Sequence, residues 1–178
     1  IVKPASIEAR MNYDSETHPK EFLKITRLLA QTIGPEQMVA GQMIDLDSQK
    51  SQTLNTLAAM HELKTGRLIS FCILAPLLLQ PNLSPQQAKY FSHFGQQLGL
   101  AFQIRDDILD CTESKSSLGK TPLKDTIQNK LTYPNLMGLK NARTHLNETL
   151  DQGLYYLDKI EFDTEDLRHI TNTLRLKA

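Results

Sequence analysis

Three carboxylates, Asp106, Asp107 and Asp110, fall within two helical turns in the segment Gly99-Leu-Ala-Phe-Gln-Ile-Arg-Asp-Asp-Ile-Leu-Asp110. Wound as a helix, Gln103, Asp106, Asp107 and Asp110 stand at i, i+3, i+4 and i+7 and form one polar stripe. The apolar residues around it (Leu100, Ala101, Phe102, Ile104, Ile108 and Leu109) predict a largely buried helix. Like charges at this spacing repel, and a buried cluster of three carboxylates requires protons or cations to neutralise it. Oxygen ligands on one rigid face suit Mg²⁺, which keeps several waters and bridges to substrate phosphate oxygens. A solvated surface triplet is the competing reading. The apolar flanks favour the metal–diphosphate site, because Asp is a poor helix former in a helix interior and this helix is too apolar for the surface.

The elements that must position this stripe are helical. Leu, Gln, Lys, Glu and Ala dominate, valine occurs only at Val2 and Val39, and no stretch alternates with period two. The fold class is therefore all-α. Pro19 at a first helical position opens a helix ending near Gly34, and Pro35 starts the next, which carries Gly41-Gln-Met-Ile-Asp-Leu-Asp47. Thr53 or Asn55 opens a third, running through His61-Glu-Leu-Lys-Thr-Gly66 to Leu79 with a kink at Pro76. Ser84-Pro85 caps the Asp-rich helix, expected to run to Cys111. Thr112–Lys130 reads as a long polar loop of the kind that serves as a lid. Thr132-Tyr-Pro134 opens a helix to about Ile160, and Asp163-Thr-Glu-Asp166 caps a last one to Leu176.

At 178 residues the chain is one domain or a large piece of one, long enough for a real core. Twenty basic and twenty acidic residues balance, so nothing favours nucleic acid or an anionic membrane. The longest apolar run, Leu68 to Leu79, is too short to span a bilayer. Cys72 and Cys111 form no disulfide framework and read as reduced residues of a cytoplasmic protein without a signal peptide.

A trivalent acidic cluster calls for cations, and a phosphate bridged by those cations calls for ammonium groups on its far side. Lys64, Lys120 and Lys130 are candidates for that task, although each lysine alone reads more readily as solvated surface. Taken in order, the pieces resemble the C-terminal part of a bacterial-type trans-prenyl diphosphate synthase of the farnesyl or geranylgeranyl diphosphate synthase group. The resemblance runs over about residues 35–145, through Gly41-Gln42-x-x-Asp45-Leu46-Asp47, Lys64-Thr65-Gly66, Gly99 to Asp110, Leu118-Gly-Lys120 and Lys130-Leu-Thr-Tyr-Pro134. Asp106-Asp107-x-x-Asp110 resembles that family's second aspartate-rich motif.

The resemblance implies an isoprenoid-synthase bundle around a central cavity, with residues 1–178 its C-terminal portion. It implies Mg²⁺-dependent condensation of an allylic diphosphate with the homoallylic isopentenyl diphosphate, giving farnesyl diphosphate. By the same resemblance Asp106, Asp107 and Asp110 hold Mg²⁺, Asp110 being the least certain ligand. Lys64, Lys120 and Lys130 offset diphosphate charge, Thr65 and Gln103 turn oxygen dipoles toward the allylic cation, and Phe102 walls the hydrocarbon tunnel. Gln42 and Asp45 face the cavity as supporting polar groups, while His61 is a structural histidine rather than a base. A homodimer using helices of Pro19–Asp47 is also implied.

The family carries two aspartate-rich motifs, and this sequence shows one. The chain begins at Ile1, and it is expected to be an N-terminally incomplete and by itself inactive portion. Geranylgeranyl diphosphate synthesis, terpene cyclisation on the same scaffold and a non-catalytic subunit of a heteromeric synthase are the alternatives. A cyclase usually replaces the second aspartate motif by a mixed Asn/Ser/Glu motif, which Asp106-Asp-Ile-Leu-Asp110 does not match.

Overall fold

The structure, a computed structural model, describes residues 19–47, 53–80, 83–117 and 131–176. Within them every regular element is helical: α1 (Pro19–Ile33), α2 (Met38–Leu46), α3 (Leu54–His61), a π-helical turn (Glu62–Gly66), α4 (Arg67–Leu74), a 3₁₀ turn (Ala75–Leu79), α5 (Pro85–Ser117), α6 (Tyr133–Met137), α7 (Leu139–Leu157) and α8 (Glu165–Thr173). This is the all-α class that the composition predicts.

The 33 residues of α5 make an axis about 50 Å long. It is buried on most sides: Phe91, Phe94, Leu98, Ala101, Ile104 and Ile108 are core residues, joined by Leu57 and Met60 of α3 and Ala142, Leu146, Leu150 and Leu157 of α7. α7 runs antiparallel along one flank, with Gly153 against Phe94 and Tyr156 stacked on His93. α4 runs antiparallel along another, and there the contact surface is made of small residues. Gly95 lies against Ser70, and Gly99 lies against Gly66 so closely that a Cβ on Gly99 would stand 2.8 Å from the Gly66 Cα.

The starts of the elements follow local chemistry. The Thr53 hydroxyl accepts from the Thr56 amide and caps α3, and Ser84 does the same for Gln87 at the head of α5. Four expectations are corrected. The helix from Pro35 begins at Met38. The helix through His61 to Leu79 is interrupted by the π turn, and Pro76 sits in a 3₁₀ turn rather than at a kink. The helix expected from Tyr133 to Ile160 is broken at Gly138, whose φ of 82° lies in the left-handed region that a side chain disfavours. Residues 112–117, expected in the polar loop, extend α5, while Lys120 and Lys130 lie outside the described residues.

The π turn is gripped on its other side by α2. A Cβ on Gly41 would lie 2.3 Å from the Lys64 amide nitrogen, so α2 and the turn meet backbone to backbone. Gly41→Ala is therefore expected to destabilise the fold by about 3 kcal/mol, because backbone has no rotamer with which to yield. Urea unfolding reads this as a lower midpoint at unchanged slope, and a midpoint within error of the unaltered protein contradicts it.

Candidate active site

Residues 61–66 lie alongside the Asp-rich part of α5 and are fixed to it at both ends. At one end is the Gly66–Gly99 contact. At the other the His61 imidazole Nε2 meets the Asp107 carboxylate Oδ2 at 3.1 Å, with both side chains buried. Lys64 and Thr65 thus lie in the stretch of chain between these two anchors, Gly99 and Asp107. The π turn that carries them inserts an extra residue into the helical path, a device frequent at functional sites.

Lys64 is half-buried, and its Nζ donates to Asp45 Oδ2 on α2 at 2.6 Å. The structure thus joins the Gly41–Asp47 segment and Lys64-Thr65-Gly66 as one unit, with Gly41 supplying the close approach and Asp45 the ion pair. Gln42, one turn before Asp45, is exposed.

The expected single stripe on α5 divides. Gln103 and Asp107 face inward, 7 % and 3 % exposed. Phe102, Asp106 and Asp110 are exposed and stand one turn apart along the outer side. The expectation of a buried cluster of three carboxylates is therefore corrected. Successive residues are turned by about 100° on a helix, so adjacent Asp106 and Asp107 face different surroundings once both flanks of α5 are packed. Phe102, expected to wall a tunnel, is 40 % exposed on the side that carries Asp106 and Asp110.

Asp107 is held through one oxygen by two protein partners. Its Oδ2 also accepts from the Tyr133 backbone amide at 3.0 Å, which satisfies one of the donors left over at the start of α6. The Tyr133 ring stacks on His61 with centroids 5.8 Å apart and touches His145 at a tilt. With Asp107 accepting, His61 Nε2 carries a proton, and its Nδ1 is buried without a partner among the described residues. Burial first, and then the nearby Asp107 charge, push the Tyr133 phenol up to about 12. The phenol ionises more easily in the unfolded chain, so this contribution is complete below pH 10 and is lost between pH 10 and 12, of order 2 kcal/mol in all. Tyr133→Phe is expected to flatten the fall in unfolding free energy over that window; an equally steep fall in the variant contradicts it.

Asp106 and Asp110 suit a Mg²⁺ ion that keeps part of its water shell and takes further oxygens from a diphosphate. No group of three His, Cys, Asp or Glu side chains able to enclose a metal exists among the described residues. Among them, likewise, no helix is long and apolar enough to cross a membrane.

The sequence matches the model of the polyprenyl synthetase family over residues 5–171. The chain belongs to that family. It is 35 % identical over 158 residues to a farnesyl diphosphate synthase of Geobacillus stearothermophilus, a match covering 88 % of this chain and 53 % of the relative. It is 33 % identical over 163 residues to the chloroplastic geranylgeranyl pyrophosphate synthase 7 of Arabidopsis thaliana, covering 89 % and 44 %. Among solved structures it superposes on an FPP/GFPP synthase of Zymomonas mobilis with a TM-score of 0.74 at 28 % identity, covering 90 % of this chain and 54 % of that one. It also superposes on a geranyltransferase of Helicobacter pylori complexed with magnesium and isoprenyl diphosphate, with a TM-score of 0.71 at 28 % identity and coverages of 94 % and 54 %. The chain spans about half the length of the relatives it matches. The family resemblance drawn from the motifs and the all-α class drawn from composition are both borne out, and the relatives are prenyl diphosphate synthases.

Proposed function

We propose that this chain is the C-terminal, diphosphate-holding portion of a Mg²⁺-dependent synthase that joins an allylic diphosphate to isopentenyl diphosphate and makes farnesyl diphosphate. The observation that carries this reading is the anchoring to α5 of the turn that bears Lys64 and Thr65, through Gly66 against Gly99 and His61 on Asp107, with Asp45 paired to the lysine. The H. pylori relative, complexed with magnesium and isoprenyl diphosphate, supports it.

In the proposed reaction the allylic C–O bond breaks and its electron pair leaves with pyrophosphate. The isopentenyl alkene then attacks the allylic carbon, and a proton passes from the new cation to the pyrophosphate. Asp106 and Asp110 would hold Mg²⁺, with Asp107 the third candidate by resemblance. Bound there, the ion offsets charge developing on the leaving diphosphate. The Lys64 ammonium exchanges part of its bond to Asp45 for a diphosphate oxygen. Thr65 and Gln103 present oxygen dipoles, which stabilise a cation without capturing it as a nucleophile would. Lys120 and Lys130 add positive charge to the same group.

Product chromatography tests the reading. With Mg²⁺, geranyl diphosphate and isopentenyl diphosphate, the catalytically competent protein is expected to release farnesyl diphosphate. Geranylgeranyl diphosphate would move it to that arm of the family, and the absence of any longer linear diphosphate would overturn it. The same reading includes a cytoplasmic homodimer that buries Leu23, Met43 and Leu46, which are 70 %, 60 % and 71 % exposed in the single chain. Sedimentation giving only monomer at working concentration contradicts that part.

A further inference from the structure

Asp107 differs from its neighbours Asp106 and Asp110 in burial and in the side of α5 that it faces. It is 3 % exposed, it faces the core, and one of its oxygens accepts two bonds from two different elements. Mg²⁺ dehydrates reluctantly and needs room for its waters. We infer that Asp107 is a positioning residue that couples the lysine turn to the head of α6 and is not a metal ligand.

The coupling is short and explicit. His61 is the last residue of α3 and immediately precedes the turn Glu62–Gly66, so the Asp107–His61 bond sets where that turn starts and hence where Lys64 and Thr65 stand. Tyr133 is the first residue of α6, and its amide is held by the same Oδ2. The stack of the Tyr133 ring on His61 closes the connection. Removing the carboxylate frees both donors in a buried setting, which loosens the turn and α6 together. An asparagine in its place keeps one carbonyl oxygen able to accept both bonds, while losing the charge that a Mg²⁺ ligand needs.

The inference rests on the diphosphate reading above, and one set of measurements separates their failures. Mn²⁺ binding in the presence of inorganic pyrophosphate is followed by electron paramagnetic resonance for the unaltered protein and for Asp106→Asn, Asp107→Asn and Asp107→Ala. Amide hydrogen exchange at Tyr133 and across 62–66 is followed in the same samples. Asp106→Asn is expected to weaken Mn²⁺ about tenfold or more. Asp107→Asn is expected to stay within about threefold of the unaltered protein, because its hydrogen bonds survive. Asp107→Ala is expected to weaken binding about tenfold and to speed exchange at both places, with Asp107→Asn restoring protection at both. Loss of Mn²⁺ in Asp107→Asn equal to that in Asp106→Asn would make Asp107 a ligand and overturn the inference. So would unchanged exchange at Tyr133 in Asp107→Ala, a readout independent of ligand. Should the unaltered protein bind no Mn²⁺–pyrophosphate, the diphosphate reading fails, while exchange at Tyr133 and across 62–66 in Asp107→Ala still decides the positioning role.

Discussion

Asp106→Ala is expected to lower prenyl transfer by the catalytically competent protein roughly 10²- to 10³-fold, since the charge that opposes the leaving diphosphate is lost where it develops. The fold is expected to be untouched. Asp106 is exposed on the outer side of α5, and surface substitutions of this kind change stability by no more than about 0.5 kcal/mol. Removing one of three neighbouring carboxylates also relieves repulsion along the helix. The loss should appear in kcat together with a raised Mg²⁺ requirement, because both report the same missing oxygens. Near-normal turnover in a folded variant contradicts the assignment, as does a loss of activity that merely follows a loss of folded protein. Asp107→Ala, one residue on, is expected to combine lower activity with lower stability. The pair thereby separates a carboxylate that holds charge from one that holds the structure.

The contrast between these adjacent residues shows where sequence reasoning was sufficient and where it was not. Helix starts were legible because their chemistry is local: Pro19, Thr53 and Ser84-Pro85 stand where α1, α3 and α5 begin. The family was legible because the motifs occur in order over more than a hundred residues. What stayed hidden depends on packing between distant segments. The break at Gly138 looks like a tolerated glycine in a helical pattern until its positive φ is seen. The π turn leaves no mark on the apolar periodicity around Gly66. The division of the Asp stripe depends on α5 being covered on more than one flank, which no window along α5 alone reveals. The structural place expected for His61 is consistent with its buried bond to Asp107, but that the partner would be a motif aspartate was not visible from spacing.

Lys64→Ala is expected to raise the KM for the allylic diphosphate about tenfold and to lower kcat by a similar factor, since a cation beside the diphosphate would bind it in the ground state and more strongly as negative charge develops on it in the transition state. The geometry makes the effect larger than the loss of one ammonium. Asp45 stands 2.6 Å from Lys64 Nζ and is only 29 % exposed, so without the lysine an uncompensated carboxylate faces the site. That charge repels the substrate's own negative charge in a partly shielded setting, where repulsion is stronger than in water. The two contributions can be separated by a second substitution. Lys64→Ala combined with Asp45→Asn removes the repelling carboxylate, and it is expected to bind pyrophosphate more tightly than Lys64→Ala alone while recovering little of kcat. Equal affinity of the single and double variants would show that Asp45 serves only to hold Lys64 in place. Unchanged KM and kcat in Lys64→Ala would remove the lysine from the site altogether. Thermal unfolding keeps these outcomes interpretable: the pair is about one-third exposed on both sides, so its loss should shift the midpoint little. A large kinetic effect with a small thermal one places the function of the ion pair in the site rather than in the fold.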